Sequence, residues 1–310
     1  MSIATSILSS SSSSSLHHHR SFLSPTNPNI NPNFRFRYSP THRSNFRSLG
    51  VSRRRKCSAS ASSSVNSFDL PLLPFPPDEV LVPSEYKTLH LYEARFLALL
   101  EESLSKQKSF VHFVLQPIIA DISSSGESFA AKYACLALIE NIERLEIGAL
   151  VSIRGIGRVS IVDLMQMEPY LRGAVIPIQD DISASESEIN LKLVELRESL
   201  YDLHNLQIKL KASKDELLQT RIKNSLTWAE REVSAVIDQT FIPEVAERLS
   251  FAAFQPVSGC SQSELLSLQR EKLRAMDSRD TLERVEIGIK FVKQNIGIVA
   301  AKLAIQSVGM

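Results

Sequence analysis

Apolar and polar positions divide the chain into a strand-patterned stretch, from about residue 68 to 180, and a helix-patterned stretch beyond it. The first opens with FDLPLLPFPPDEVLVPSEYKTLHLYEARFLALLEESL, starting at Phe68. Pro71, Pro74, Pro76, Pro77 and Pro83 interrupt its apolar clusters. Proline fixes φ and lacks an N–H, so this run cannot form one central strand or one helix. It predicts two short strands joined by an irregular turn. A helix then begins near Leu91, with Leu91, Ala94, Phe96, Leu97, Leu100 and Leu104 towards its buried side. On such a helix Glu93 and Arg95, two apart, do not face each other, so each is expected to find its partner elsewhere.

Further strands follow. Phe110–Leu115 reads as a buried strand ended by Pro117, and Ser123–Gly126 as a loop. Phe129–Ile142 has an apolar run that also permits a helix; the hairpin pattern after it favours a strand. Gly148 marks a turn. Leu150–Arg154 and Arg158–Leu164 read as two strands separated by Gly155-Ile156-Gly157, and Leu171–Ile178 as another. Several short strands at this spacing suggest a small barrel or sandwich.

From 183 onward the periodicity is helical. Ser185-x-x-Glu188, Ser213-x-x-Glu216 and Ser261-x-x-Glu264 have the form of capping boxes. Ile189, Leu193, Leu196, Leu200 and Leu203 alternate four and three apart, a short coiled-coil-like seam. Residues 186–237 form either a helical hairpin or one long helix, with a face available for docking or self-association. Glu244–Phe254, a helix capped at Ser261 and a last helix from about Arg279 to Ile305 complete the chain. That last helix is expected to turn Leu282, Val285, Ile289, Phe291, Val292 and Ile296 to a core.

Leu70–Pro74, with Pro71 and Pro74, followed by His90–Phe96 with Tyr92, Glu93, Arg95 and Phe96, resembles the start of the N-terminal, substrate-binding domain of Lon proteases. There an "LPLLPL…P" strand leads into "PLHIFEPRY"; Leu89 stands where the family usually has proline. Leu136–Ile142, Leu145…Gly148, Gly155-Ile156-Gly157-Arg158-Val159 and Pro169-Tyr170 follow in the family's order over about 110 residues. Ile147 replaces a turn aspartate and Val159 an aromatic. Residues 244–273 resemble, more loosely, the helical subdomain after the family's barrel, and 186–237 read as an insertion. The resemblance implies an α+β protein: a PUA-like β pseudobarrel over residues 66–182, then a helical subdomain over 183–310. Pro71, Pro74, Tyr92, Glu93, Arg95, Phe96, Gly157 and Arg158 are its motif residues, for which the reading is structural. Glu93 or Arg95 is expected to pair with Arg158 where helix meets barrel.

Charge adds a third segment. Residues 1–68 hold nine Arg and Lys and no acid; the rest has 26 basic and 34 acidic residues, a net of −8. Residues 1–60, rich in Ser, Arg, Asn and Pro, have the composition of an organellar transit peptide. The serine run Ser9–Ser15 favours chloroplast stroma, with mitochondrion as the alternative. An acidic body argues against nucleic acid, although PUA-like folds also occur in RNA-associated proteins. Cys57, Cys135 and Cys260 make neither a disulfide framework nor a metal site.

The chemistry of a full Lon enzyme is missing. No Gly-Lys pair follows residue 60, so there is no phosphate loop, and a chain ending at Met310 is expected to carry neither ATPase nor protease. His90, His112 and His204 have no metal spacing, no serine sits in a G-x-S-x-G elbow, and Asp180-Asp181 and Glu101-Glu102 read as solvated surface. The chain is therefore expected to be a non-enzymatic protein-binding module without metal or cofactor. Its partners would be client or unfolded proteins and a separate chloroplast protease.

Overall fold

The structure, a computed structural model, describes residues 67–118, 128–181, 185–210, 216–231 and 237–308. The Ser123–Gly126 loop, Ser213 and the leader lie outside these residues. The strands are β1 (Phe68–Phe75), β2 (Tyr86–Leu91), β3 (Ser109–Val114), β4 (Gln116–Ile118), β5 (Ser128–Ala130), β6 (Ala134–Arg144), β7 (Ala149–Gln166) and β8 (Leu171–Pro177). The helices are α1 (Ala94–Ser105), α2 (Glu186–Lys209), α3 (Glu216–Glu230), α4 (Val245–Phe251), α5 (Gln262–Asp277) and α6 (Thr281–Val308).

Six strands run in the order β2-β7-β6-β3-β1-β8, and β8 returns to pair with β7, which closes a barrel. Only β1 and β3 are parallel. This is the α+β pseudobarrel and helical subdomain expected. β1 carries Pro71 and Pro74 although it lies between β8 and β3. Its neighbours divide it: β8 pairs with Phe68–Leu72 and β3 with Leu72–Phe75. Each proline therefore sits where one edge only is paired, and its missing N–H has an unpaired edge to face. The two prolines are three apart, so they address opposite edges, as this division requires.

Several boundaries moved. α1 begins at Ala94, Leu91 belongs to β2, Ala94 is exposed, and the buried stripe is Phe96, Leu99, Leu100 and Ser103. β6 starts at Ala134 rather than Phe129. The two strands expected around Gly155-Ile156-Gly157 are one, the 18-residue β7. The glycines do not end the strand. A β-carbon at Gly155 would overlap the Val82 carbonyl, and one at Gly157 the Phe241 carbonyl. They admit backbone from two other parts of the chain, at the cost of a register shift against β6 between Cys135 and Ala137.

In the helical half, α2 and α3 form an antiparallel hairpin. Arg197 pairs with Glu230 at 2.6 Å, and Nδ1 of His204 lies 3.2 Å from the Gln219 carbonyl. Leu193, Leu196, Leu200 and Leu203 are buried, so the seam read from the sequence packs within the chain. Gly288 of α6 sits against Leu196 and Ala253. The Ser261–Glu264 capping box is present, but Ser185 makes no side-chain cap and bonds Ser187 instead. One continuous apolar core joins barrel and helices, from Phe75 and Val151 to Leu226 and Val292.

Candidate functional site

The motif residues do not converge on one site. Pro71 and Pro74 shape β1. Glu93 is the N-cap residue of α1, not part of the helix, and its extended backbone lets it reach the Arg95 guanidinium at 2.7 Å. The expectation that these two cannot meet is thereby overturned: the spacing rule holds only within a helix. Arg95 also lies over the ring of buried Phe96, 4.5 Å from its centroid.

Neither residue pairs with Arg158. Arg158 is buried at the junction of barrel and helices, where it contacts Asp180 and, at 2.9 Å, Glu247 of α4. It also donates to the Ser278 carbonyl at 2.6 Å. Arg284 of α6 completes the group. It contacts Asp180, donates to Ser250 Oγ at 2.7 Å and lies over Phe251 at 4.3 Å. Two guanidinium groups and two carboxylates thus tie β7, the segment after β8, α4 and α6 together. Asp180 is no surface carboxylate. Burial alone would raise its carboxyl; the Arg284 and Arg158 charges outweigh that and hold it below the usual aspartate range. Sequence reasoning missed Arg284 and Glu247 because charged residues on amphipathic helices are usually solvated.

A second buried group lies on the barrel side. Lys272 of α5 reaches Glu85 at 2.5 Å and the Val80 carbonyl at 3.2 Å, and Lys87 reaches Glu79 at 2.8 Å. His112 is beside them, stacked flat on Phe75 with centroids 3.7 Å apart, and its Nε2 has no hydrogen-bond partner. Burial, then the Lys87 and Lys272 charges, pushes the His112 imidazole well below its usual value of 6.5. The unfolded chain therefore takes up a proton near pH 6.5 that the folded chain resists. Stability is full above that pH and falls as pH drops below it, by up to about 1.4 kcal/mol per unit. Guanidinium unfolding between pH 7 and 5.5 checks this: the slope should shrink in His112→Gln, and an unchanged slope would refute the assignment.

These networks hold Arg158, Arg284, Asp180, Glu247, Lys272 and Glu85 in structural pairs. No cluster of three His, Cys, Asp or Glu fit for a metal occurs among the described residues. Burial raises the Cys135 thiol, leaving it protonated and inert. A recess of about 370 Å³ beside Lys192, Ile289 and Lys293 is wide open. Exposed apolar surface is present as well.

That surface gathers at two places on the barrel. One is the β6–β7 turn, where Leu145 and Ile147 lie beside Tyr92, the one motif residue left exposed. His90 Nε2 contacts the Ile147 carbonyl at 3.1 Å, and the turn closes through Gly148 at φ +85°. The other is the far end of β7. Past Val159, β8 pairs with β7 in a register that shifts between Ile161 and Asp163 and again between Leu164 and Gln166. Each shift is a bulge, and the extra residues are Val162 and Met165. Bulges re-aim side chains: Val162 is 48% exposed and Met165 60%, with Met167 exposed beside them. Strand alternation conceals this ledge in the sequence, because bulge positions are fixed by pairing with β8.

A search of curated proteins returned no match. Among solved structures, the Lon N-terminal domain protein from Xanthomonas campestris is 19% identical, with a TM-score of 0.38 and 71% of this chain and 95% of that one covered. The N-terminal domain of Mycobacterium avium complex Lon protease is 14% identical, with a TM-score of 0.40 and coverages of 73% and 98%. Residues 69–251 match the ATP-dependent protease La (LON) substrate-binding domain, and the chain belongs to that family.

Proposed function

We propose that this chain recognises client proteins through the bulged ledge of β7 and acts, without enzymatic activity of its own, as an adaptor in chloroplast proteostasis. Membership of a substrate-binding domain family supports the first part. The observation that carries it is the pair of bulges that turns Val162 and Met165 out of the barrel. A flexible thioether adapts to varied apolar segments, which suits a surface that meets many clients. The acid-free leader supports a stromal setting, with delivery to a separate protease; import into isolated chloroplasts tests the setting.

The ledge is tested with the double variant Val162→Ser, Met165→Ser. Both side chains are exposed, so its thermal midpoint should match the native chain. Binding to reduced, alkylated and fluorescein-labelled lysozyme, read by anisotropy, should weaken roughly tenfold or more, as loss of two interface anchors implies. Unchanged affinity would remove the ledge from the recognition surface.

A further inference from the structure

The buried seam of α2 has a counterpart on the opposite side of the same helix. Leu191, Val194, Glu198, Tyr201, Asn205 and Ile208 recur three and four apart, and all six are exposed. Leu191 is 70% exposed and Ile208 56%, at the two ends of a stripe about 26 Å long. A solvated helix face seldom repeats apolar residues with this heptad spacing; a helix seam does. Charge is also graded along α2: Glu186 and Glu188 stand in its first turn and Lys209 in its last.

We propose that the chain self-associates through this face, α2 of a second copy packing antiparallel about a two-fold axis near residues 199 and 200. This pairing sets Leu191 against Ile208 of the second copy, Val194 against Asn205, and Glu198 beside the Tyr201 hydroxyl, a donor for its carboxylate. Each contact occurs twice, as an isologous interface requires. Glu188 of each copy comes beside Lys209 of the other, and the two helix dipoles oppose. A parallel pairing would place the acidic ends together. The register also brings Glu195 towards Asp202, but Glu195 is already paired with Lys192 at 3.2 Å and Lys293 at 2.7 Å of its own protomer. The ledge on β7 belongs to the barrel, so this interface is separate from the proposed client surface.

Sedimentation velocity over a concentration series tests the proposal on the native chain and three variants. The native chain should show a monomer–dimer equilibrium. Leu191→Glu with Ile208→Glu should be monomeric throughout, with an unchanged circular dichroism spectrum. Lys209→Glu should raise the dimer dissociation constant by roughly tenfold, because two attractive pairs become repulsive. Adding Glu188→Lys should restore it to within about threefold of the native value. A native chain that stays monomeric overturns the proposal, and so does a dimer indifferent to Leu191→Glu with Ile208→Glu. A dimer that the charge reversal does not rescue overturns the antiparallel register.

Discussion

Replacing Arg284 by alanine should destabilise the chain by about 3–5 kcal/mol, the usual consequence of removing one member of a buried ion group. Arg284 is fully buried. Its loss leaves Asp180 with a single guanidinium partner, frees Ser250 Oγ from the 2.7 Å bond to Nε, and opens space over Phe251. Arg284→Met refills much of the volume but should lose nearly as much, because the harm lies in the stranded carboxylate. For a folded body of this size the midpoint of thermal unfolding should fall by about 10 °C or more. Calorimetry and guanidinium titration read the effect. A loss below about 1 kcal/mol would mean that the four charges cost as much to bury as they return.

The second large effect is expected at Gly157. Alanine there puts a methyl group onto the Phe241 carbonyl and close to the Pro243 ring. Backbone cannot rotate out of the way as a flexible side chain can, so the turn ahead of α4 must lift from β7. Glu247, two residues into α4, would then be drawn from Arg158. Overpacking and the weakened ion pair together should cost about 3 kcal/mol. Gly297→Ala is the control: nothing lies within 4 Å of the added methyl, and in mid-helix it should stabilise by about 0.5–1 kcal/mol. Equal unfolding midpoints for the two variants would contradict the close-approach account.

The two halves differ in how much of them could be read beforehand. Proline punctuation, the Gly148 turn and the β-branched runs located most strands, and periods of three and four located the helices. Those signals are local. What escaped was set by contacts between distant segments. Gly155-Ile156-Gly157 looked like a break because glycine weakens strands, yet its cause is backbone arriving from Val82 and Phe241. Arg158 was a motif residue with the wrong partner: Asp180 and Glu247 lie 22 and 89 residues away, and nothing in the pattern around them marks them as buried. Glu93 was placed inside a helix that begins one residue later. The outward stripe of α2 was hidden by its inward one, since the apolar seam through Leu193 and Leu200 accounted for the helix on its own.

The two bulges of β7 carry a rule about length. Side chains alternate in and out along a strand, so a single inserted residue turns everything after it inside out. Val159, Ile161 and Leu164 nevertheless keep step with Pro177, Val175 and Gly173 on β8. The first insertion reverses the phase and the second restores it, so the chain enters the turn before β8 in its original sense. Val162 and Met165 are therefore a matched pair. Deleting either one would remove its bulge and leave Asp163, Leu164 and Gln166 opposite the same residues of β8, while deleting both would leave a regular β7 with no ledge.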